Sequence, residues 1–219
     1  MKPSTMQTPT RRHKGRKAWL TLALLLLSAL ALAHAAPPRT VLVMGDSLSA
    51  AYGLRVDQGW VALMGQRLAQ THPGWRVVNA SVSGETTGGG RNRLPRALEE
   101  HAPAVVILEL GANDALRGLP PEQAHANLDA MIQAAADAGA RVLLVGTEVP
   151  PNYGPDYAAA FRTLYAQLAA ARGTAFLPFL LEPIATDLGQ FQADGLHPTA
   201  QAQPRVLDHL WPALEPLLD

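Results

Sequence analysis

The sequence predicts a three-layer α/β/α domain built on a five-stranded, doubly wound parallel sheet. Short apolar runs rich in β-branched residues alternate with longer stretches whose apolar residues recur every three or four positions, and strands alternating with helices in this way imply a parallel sheet covered on both faces. Each apolar run stops at glycine or small polar residues suited to a turn. No repeat, linker or shift in composition divides the pattern, so one domain is expected.

The chain of 219 residues opens with a segment that does not belong to this pattern. Lys2, Arg11, Arg12, Lys14, Arg16 and Lys17 form a basic start without an acidic residue, and an apolar run from Ala18 to Ala33 follows, broken only by Thr21 and Ser28. Ala33-His34-Ala35-Ala36 then offers an A-x-A site, so residues 1–35 read as a signal peptide cut after Ala35, and residues 36–219 as the mature domain. A retained anchor fits less well, because the run is shorter than the ~20 residues of a spanning helix and Pro37-Pro38 follow at once. Arg11-Arg12 lies in a poor context for a twin-arginine signal. Ordinary export to the periplasm or medium is expected, with no stable membrane anchor once the leader is removed.

Removing that leader takes away 6 of the 18 basic residues and none of the 18 acidic ones, leaving 12 against 18, a formal charge of −6. A net negative domain without a basic run argues against nucleic acid as a partner. The absence of cysteine excludes disulfides, a thiolate nucleophile and thiolate-bound metal. The histidines His72, His101, His125, His197 and His209 show no paired ligand spacing, so neither metal nor other cofactor is expected. A monomer of about 184 residues is large enough to hold itself by its own core.

In the mature chain, Val41-Leu42-Val43-Met44 reads as a buried strand that stops at Gly45. Gln58 to Gln70 carries Trp60, Leu63, Met64 and Leu68 on a helical period, and His72-Pro73-Gly74 ends it. Trp75 to Ala80 is the second strand. Ser81 to Gly90 reads as a small-residue loop, its Gly88-Gly89-Gly90 unusually mobile, leading into a helix near Leu94 to His101. Without a following Gly-Lys-Ser/Thr this loop is not a phosphate cradle. Ala104 to Leu110 is the third strand, Pro121 to Ala138 an alanine-rich helix, and Arg141 to Gly146 the fourth strand. Asp156 to Ala171 forms a helix with Tyr157, Phe161, Leu164, Tyr165 and Leu168 on one face, Ala175 to Leu177 a short fifth strand, and Arg205 to Leu218 the last helix. The whole is flavodoxin-like.

In such sheets, ligands bind beyond the carboxyl ends of the strands, and several polar residues fall there. Ser47 follows the first strand, Gly84 the second and Asn113 the third, and Asp194 and His197 precede the last helix. A neutral imidazole is suited to take a serine proton near neutral pH. An aspartate three residues earlier can hold its Nδ1 side and stabilise the imidazolium. The N–H groups of Ser47 and Gly84 and the Asn113 amide supply three donors for an oxyanion. Each residue also has a plainer use: Asp46, Ser47 or Asp194 as helix caps, Gly84 as a turn residue, Asn113 bonded within its loop, His197 as a structural histidine. Their occurrence in order at the strand ends of one fold favours the joint reading.

Gly45-Asp46-Ser47-Leu48, Gly84, Gly111-Ala112-Asn113-Asp114 and Asp194-Gly195-Leu196-His197-Pro198 resemble the signature blocks of the GDSL, or SGNH, hydrolase superfamily. Ser49-Ala50-Ala51-Tyr52, Val78 to Gly84, Pro150-Pro151-Asn152-Tyr153-Gly154 and Leu177-Pro178-Phe179 extend the likeness to its bacterial periplasmic thioesterase I, lysophospholipase and arylesterase branch, from about Thr40 to Leu217. The resemblance implies the SGNH hydrolase fold. It also implies a serine esterase or thioesterase acting on acyl-CoA, lysophospholipid or aryl esters, with Ser47 as nucleophile, Asp194 and His197 as partners, and Ser47, Gly84 and Asn113 as oxyanion donors. As in that family, Ser47 is not set on a G-x-S-x-G elbow. Leu48, Leu116, Pro150 and Tyr153 are expected to line the acyl cleft, and Glu148, beside it, to face solvent. The alternatives are a carbohydrate acetylesterase of the same fold and a non-catalytic lipid- or glycan-binding module.

Overall fold

Strands form where the apolar runs occur: β1 (Arg39–Gly45), β2 (Trp75–Asn79), β3 (Val105–Glu109), β4 (Arg141–Val145) and β5 (Ala175–Leu177). This computed structural model describes Met1 and residues 37–219; the expected leader, its cut after Ala35 and the anchor alternative lie outside the described residues. All four pairings are parallel and the strand order is β2-β1-β3-β4-β5, with Val41 opposite both Val77 and Val105. That order places the topological switch between β1 and β3, where doubly wound sheets bind ligands.

Side chains alternate across each strand, so the sheet feeds two cores. Val41, Val43, Val105, Ile107, Leu143 and Val145 face α1 (Trp60–Thr71) and the last helix α6 (Gln203–Leu214). Leu42, Met44, Val106, Leu108, Val142 and Leu144 face α2 (Thr87–His101), α4 (Pro121–Asp137) and α5 (Pro155–Arg172). Burial of each such aliphatic side chain contributes about 1.5–3 kcal/mol, which lets both layers form without cross-links. Among the described residues no helix is long and apolar enough to cross a membrane.

Three local expectations are corrected. The glycine run is not a loop: α2 begins at Thr87, seven residues before Leu94, and Gly88, Gly89 and Gly90 are its first turn. Glycine disfavours a helix by about 1 kcal/mol per residue, so other contacts must hold this turn. Thr86 caps it by accepting from the Gly89 N–H at 3.3 Å. Buried Asp114 accepts from the Thr87 N–H at 2.8 Å and from its hydroxyl at 2.5 Å. A Cβ on Gly90 would lie 2.3 Å from Leu110 Cδ1, so the glycine permits α2 to approach β3 closely. Second, Ala112–Leu116, read as a strand-end loop, forms a short helix, α3. Third, α6 ends at Leu214 and continues as a 3₁₀ turn over Glu215–Leu217, because Pro216 lacks the N–H that another helical turn requires.

Candidate active site

Ser47 sits in the tight turn that leaves β1. The Ala50 N–H bonds Asp46 O at 2.9 Å and the Tyr52 N–H bonds Ser47 O at 3.2 Å, so the chain folds back immediately after Gly45. His197 comes from the segment between β5 and α6, 150 residues later, and its Nε2 lies 2.8 Å from Ser47 Oγ. Gln192 ties the two segments together: its amide donates to Tyr52 O at 2.8 Å and to Pro198 O at 3.1 Å. Its backbone N–H also bonds His197 O at 2.7 Å. The Tyr52 ring packs 4.4 Å from the imidazole, centroid to centroid.

Asp194 completes the line. Its Oδ1 accepts the N–H groups of Leu196 at 2.9 Å and His197 at 3.0 Å, while Oδ2 lies 2.7 Å from His197 Nδ1. The His197 N–H, then that of Leu196, then the imidazole hold this carboxyl down to about 2, so it stays an acceptor at any working pH. An ionised carboxylate can only accept, so His197 Nδ1 carries the proton and Nε2 is left to accept from Ser47.

The three expected oxyanion donors follow neighbouring strand ends, Ser47 after β1, Gly84 after β2 and Asn113 after β3. Among the described residues neither the Ser47 nor the Gly84 N–H has a protein acceptor, and the Gly84 carbonyl is held by Arg117 Nη2 at 2.7 Å. One N–H of the Asn113 amide donates to Asp46 Oδ2 at 3.0 Å, which leaves the second for a ligand. Asp46 Oδ1 accepts the Leu48 N–H at 3.0 Å. Asp46 therefore orients the amide beside the serine.

Beneath it lies Glu109, the last residue of β3, which sequence reading passed over. Its Oε2 accepts the Ser49 hydroxyl at 2.6 Å and the Asp46 N–H at 3.4 Å. A Cβ on Gly45 would lie 2.8 Å from the same oxygen, so glycine is required where the two strands meet. Burial, then the neighbouring Asp46 charge, push Glu109 well above its ordinary range. Burial likewise raises Asp46 to about 6, opposed by the Leu48 N–H, His197 and Asn113. Asp46 also faces His197, which favours its charged form, whereas Glu109 is wholly buried against that charge, so of the two Glu109 holds the proton more firmly. The signal for Glu109 was present: an acid in an otherwise apolar parallel strand is rarely buried without a partner. Glu109→Gln, which keeps the acceptor, is expected to unfold within about 1 kcal/mol of the parent in urea at pH 7. Glu109→Ala leaves two buried donors unpaired beside a void and is expected to lose about 2–4 kcal/mol; equal losses would contradict a protonated Glu109.

These groups open into a cavity of about 840 Å³ lined by Ser47, Asn113, His197 and mostly apolar side chains. Leu48, Leu116 and Pro150 are on its wall as expected. Tyr153 is not: it stacks toward Tyr157, and its hydroxyl donates to Leu116 O at 2.9 Å, so it supports the end of α3 from outside. Glu148, expected to face solvent, lines the cavity and pairs with Arg162 of α5.

Hydrogen-bonded serine, histidine and aspartate at the rim of a doubly wound sheet are the mark of a serine hydrolase. The chain belongs to the GDSL-like lipase/acylhydrolase family, which matches residues 43–204, and it is an ester hydrolase. It is 52% identical to Esterase TesA of Pseudomonas aeruginosa over 90% of this chain and 99% of the relative. It is 39% identical to the thioesterase 1/protease 1/lysophospholipase L1 of Escherichia coli K12 over 85% of this chain and 88% of that one. Among solved structures, the psychrotrophic esterase EstA from Pseudoalteromonas sp., inhibited by monoethylphosphonate, superposes with a TM-score of 0.79 at 38% identity, over 82% of this chain and 98% of that one.

Proposed function

We propose that the chain hydrolyses carboxylic esters and thioesters through an acyl-Ser47 intermediate. Ser47 Oγ attacks the carbonyl carbon as its proton passes to His197 Nε2, and Asp194 stabilises the imidazolium that results. The oxyanion takes the N–H groups of Ser47 and Gly84 and the free N–H of Asn113. The tetrahedral adduct collapses, His197 gives its proton to the departing alkoxide or thiolate, and the acyl-serine remains. Water, deprotonated by His197, then releases the acid and restores the serine.

The observation that carries this reading is the unbroken line from Ser47 Oγ through His197 to Asp194, at 2.8 and 2.7 Å, opening into the cavity. The mainly apolar wall favours esters of apolar acyl groups over acetylated sugars. A binding module has no need of an aligned nucleophile and base. We further propose that the mature enzyme is exported and begins at Ala36, on the strength of the basic start, apolar run and A-x-A site of residues 1–35, and that it is a monomer, its domain being large enough to hold itself by its own core.

One experiment addresses both parts. The exported protein is treated with an aryl phosphonate and weighed intact, then mapped by peptides. The expected result is a chain lacking residues 1–35 that carries one phosphonyl group on Ser47. A label on any other serine overturns the nucleophile assignment, and an uncut chain overturns the leader.

A further inference from the structure

Away from the groups around Ser47 and His197, the charged residues on the cavity wall are Glu148 and Arg162. They form a bidentate pair, Arg162 Nε to Oε1 at 2.8 Å and Nη2 to Oε2 at 2.7 Å. Glu148 is held in place by this fork, and one-third of its side chain remains exposed. Topology gives the scale of the backbone separation between the strand exits that carry them. Ser47 leaves β1 and Glu148 leaves β4, with β3 between them. Two strand spacings of about 4.8 Å put the exits roughly 10 Å apart. Arg162 shares a stripe of α5 with Pro155 and Ala158, and all three line the cavity. An acyl chain attached to Ser47 and running away from the β1–β3 switch thus crosses apolar wall first and meets the ion pair second.

We propose that the Glu148–Arg162 pair closes the acyl-binding part of the cavity and makes medium-chain esters, with a ceiling at about eight to ten acyl carbons, the preferred substrate class. The proposal rests on the acyl-Ser47 reading. An extended alkyl chain built from 1.5 Å bonds rises about 1.25 Å per carbon, so roughly eight carbons span 10 Å. Up to that length each added methylene leaves water for apolar wall and raises kcat/KM about fourfold. Beyond it the tail would cover two charges that solvent still reaches, stripping their water without offering a polar contact in exchange. The gain per methylene therefore stops at the pair. Both charges must be removed together to lift this limit, since either one alone would stand unpaired against the tail.

The test is kcat/KM for p-nitrophenyl esters from butanoyl to hexadecanoyl, each below its aggregation concentration, for the full exported enzyme, for E148L/R162L and for S47A. The parent is expected to rise with chain length, break near eight to ten carbons and then flatten or fall. In E148L/R162L the break moves outward, and the tetradecanoyl-to-octanoyl ratio rises at least tenfold. E148A/R162A replaces that variant if it is insoluble. A parent whose rate climbs unbroken to hexadecanoyl, or a double variant with an unmoved ratio, overturns the ceiling while leaving the acyl-serine reading in place. Hydrolysis by S47A within a hundredfold of the parent overturns both.

Discussion

Ser47→Ala is expected to lower kcat for p-nitrophenyl esters by about 10⁶, because nucleophile and base act as one unit and removing either member loses nearly the whole effect. A residual acceleration of about 10³–10⁴ over water should remain, supplied by the Gly84 and Asn113 donors and by the cavity. The fold should be untouched. Ser47 Oγ contributes one hydrogen bond, to a partly exposed imidazole, so unfolding in urea should shift by less than about 1 kcal/mol. The informative result is this separation of activity from stability. A variant within a hundredfold of the parent would move the nucleophile elsewhere, whereas a variant that unfolds would mean that Ser47 is structural.

Asp194→Asn carries the second largest expected effect, a loss of about 10⁴ in kcat. The two carboxylate oxygens do different work. Oδ1 accepts the Leu196 and His197 N–H groups, and an Asn carbonyl oxygen can take over that task and keep the loop. The Asn amide then faces His197 Nδ1, 2.7 Å away in the parent, with a donor against a donor. The imidazole relieves this by moving its proton to Nε2, which then points at Ser47 and can no longer accept. Melting temperature should therefore change little while turnover collapses, and the two are measured on one preparation. Because the carboxyl is held at about 2, chiefly by the His197 N–H, it remains ionised until the pH falls toward that value. Its protonation cannot explain any loss of parental activity between pH 5 and 9. Turnover of Asp194→Asn within tenfold of the parent would remove Asp194 from the mechanism.

Much of the fold is legible because the relevant signals are local. Val41 to Met44 and Val105 to Leu108 are runs that only a sheet covered on both faces can bury. The helical periods in α1 and α5 name most of their buried faces, including Trp60, Met64, Phe161 and Leu168, while Leu63 and Tyr157 lie half-buried and Val61 and Ala169 join the core unannounced. Positions where these elements end then bring Ser47, Asn113, Asp194 and His197 to one rim. Gly88 to Gly90 misled for the opposite reason. Their intrinsic preference is against helix, and what overrides it is Asp114, which reaches back 27 residues to the N–H and hydroxyl of Thr87. Tyr153 misled because an aromatic residue in a pocket-bordering loop can face either way, and the carbonyl of Leu116 decided it.

The sequence by itself determined the alternation of strands and helices, the open rim at the strand ends and the residue types gathered there, since periodicity and turn chemistry act over a few neighbouring positions. Tertiary structure alone decided that Glu109 sits under Asp46, that Gln192 ties the histidine loop to the serine turn, and that Glu148 and Arg162 pair on the cavity wall. Each of those contacts joins side chains from separate elements. Whether such side chains meet depends on how the layers pack, and no short stretch of chain carries that information.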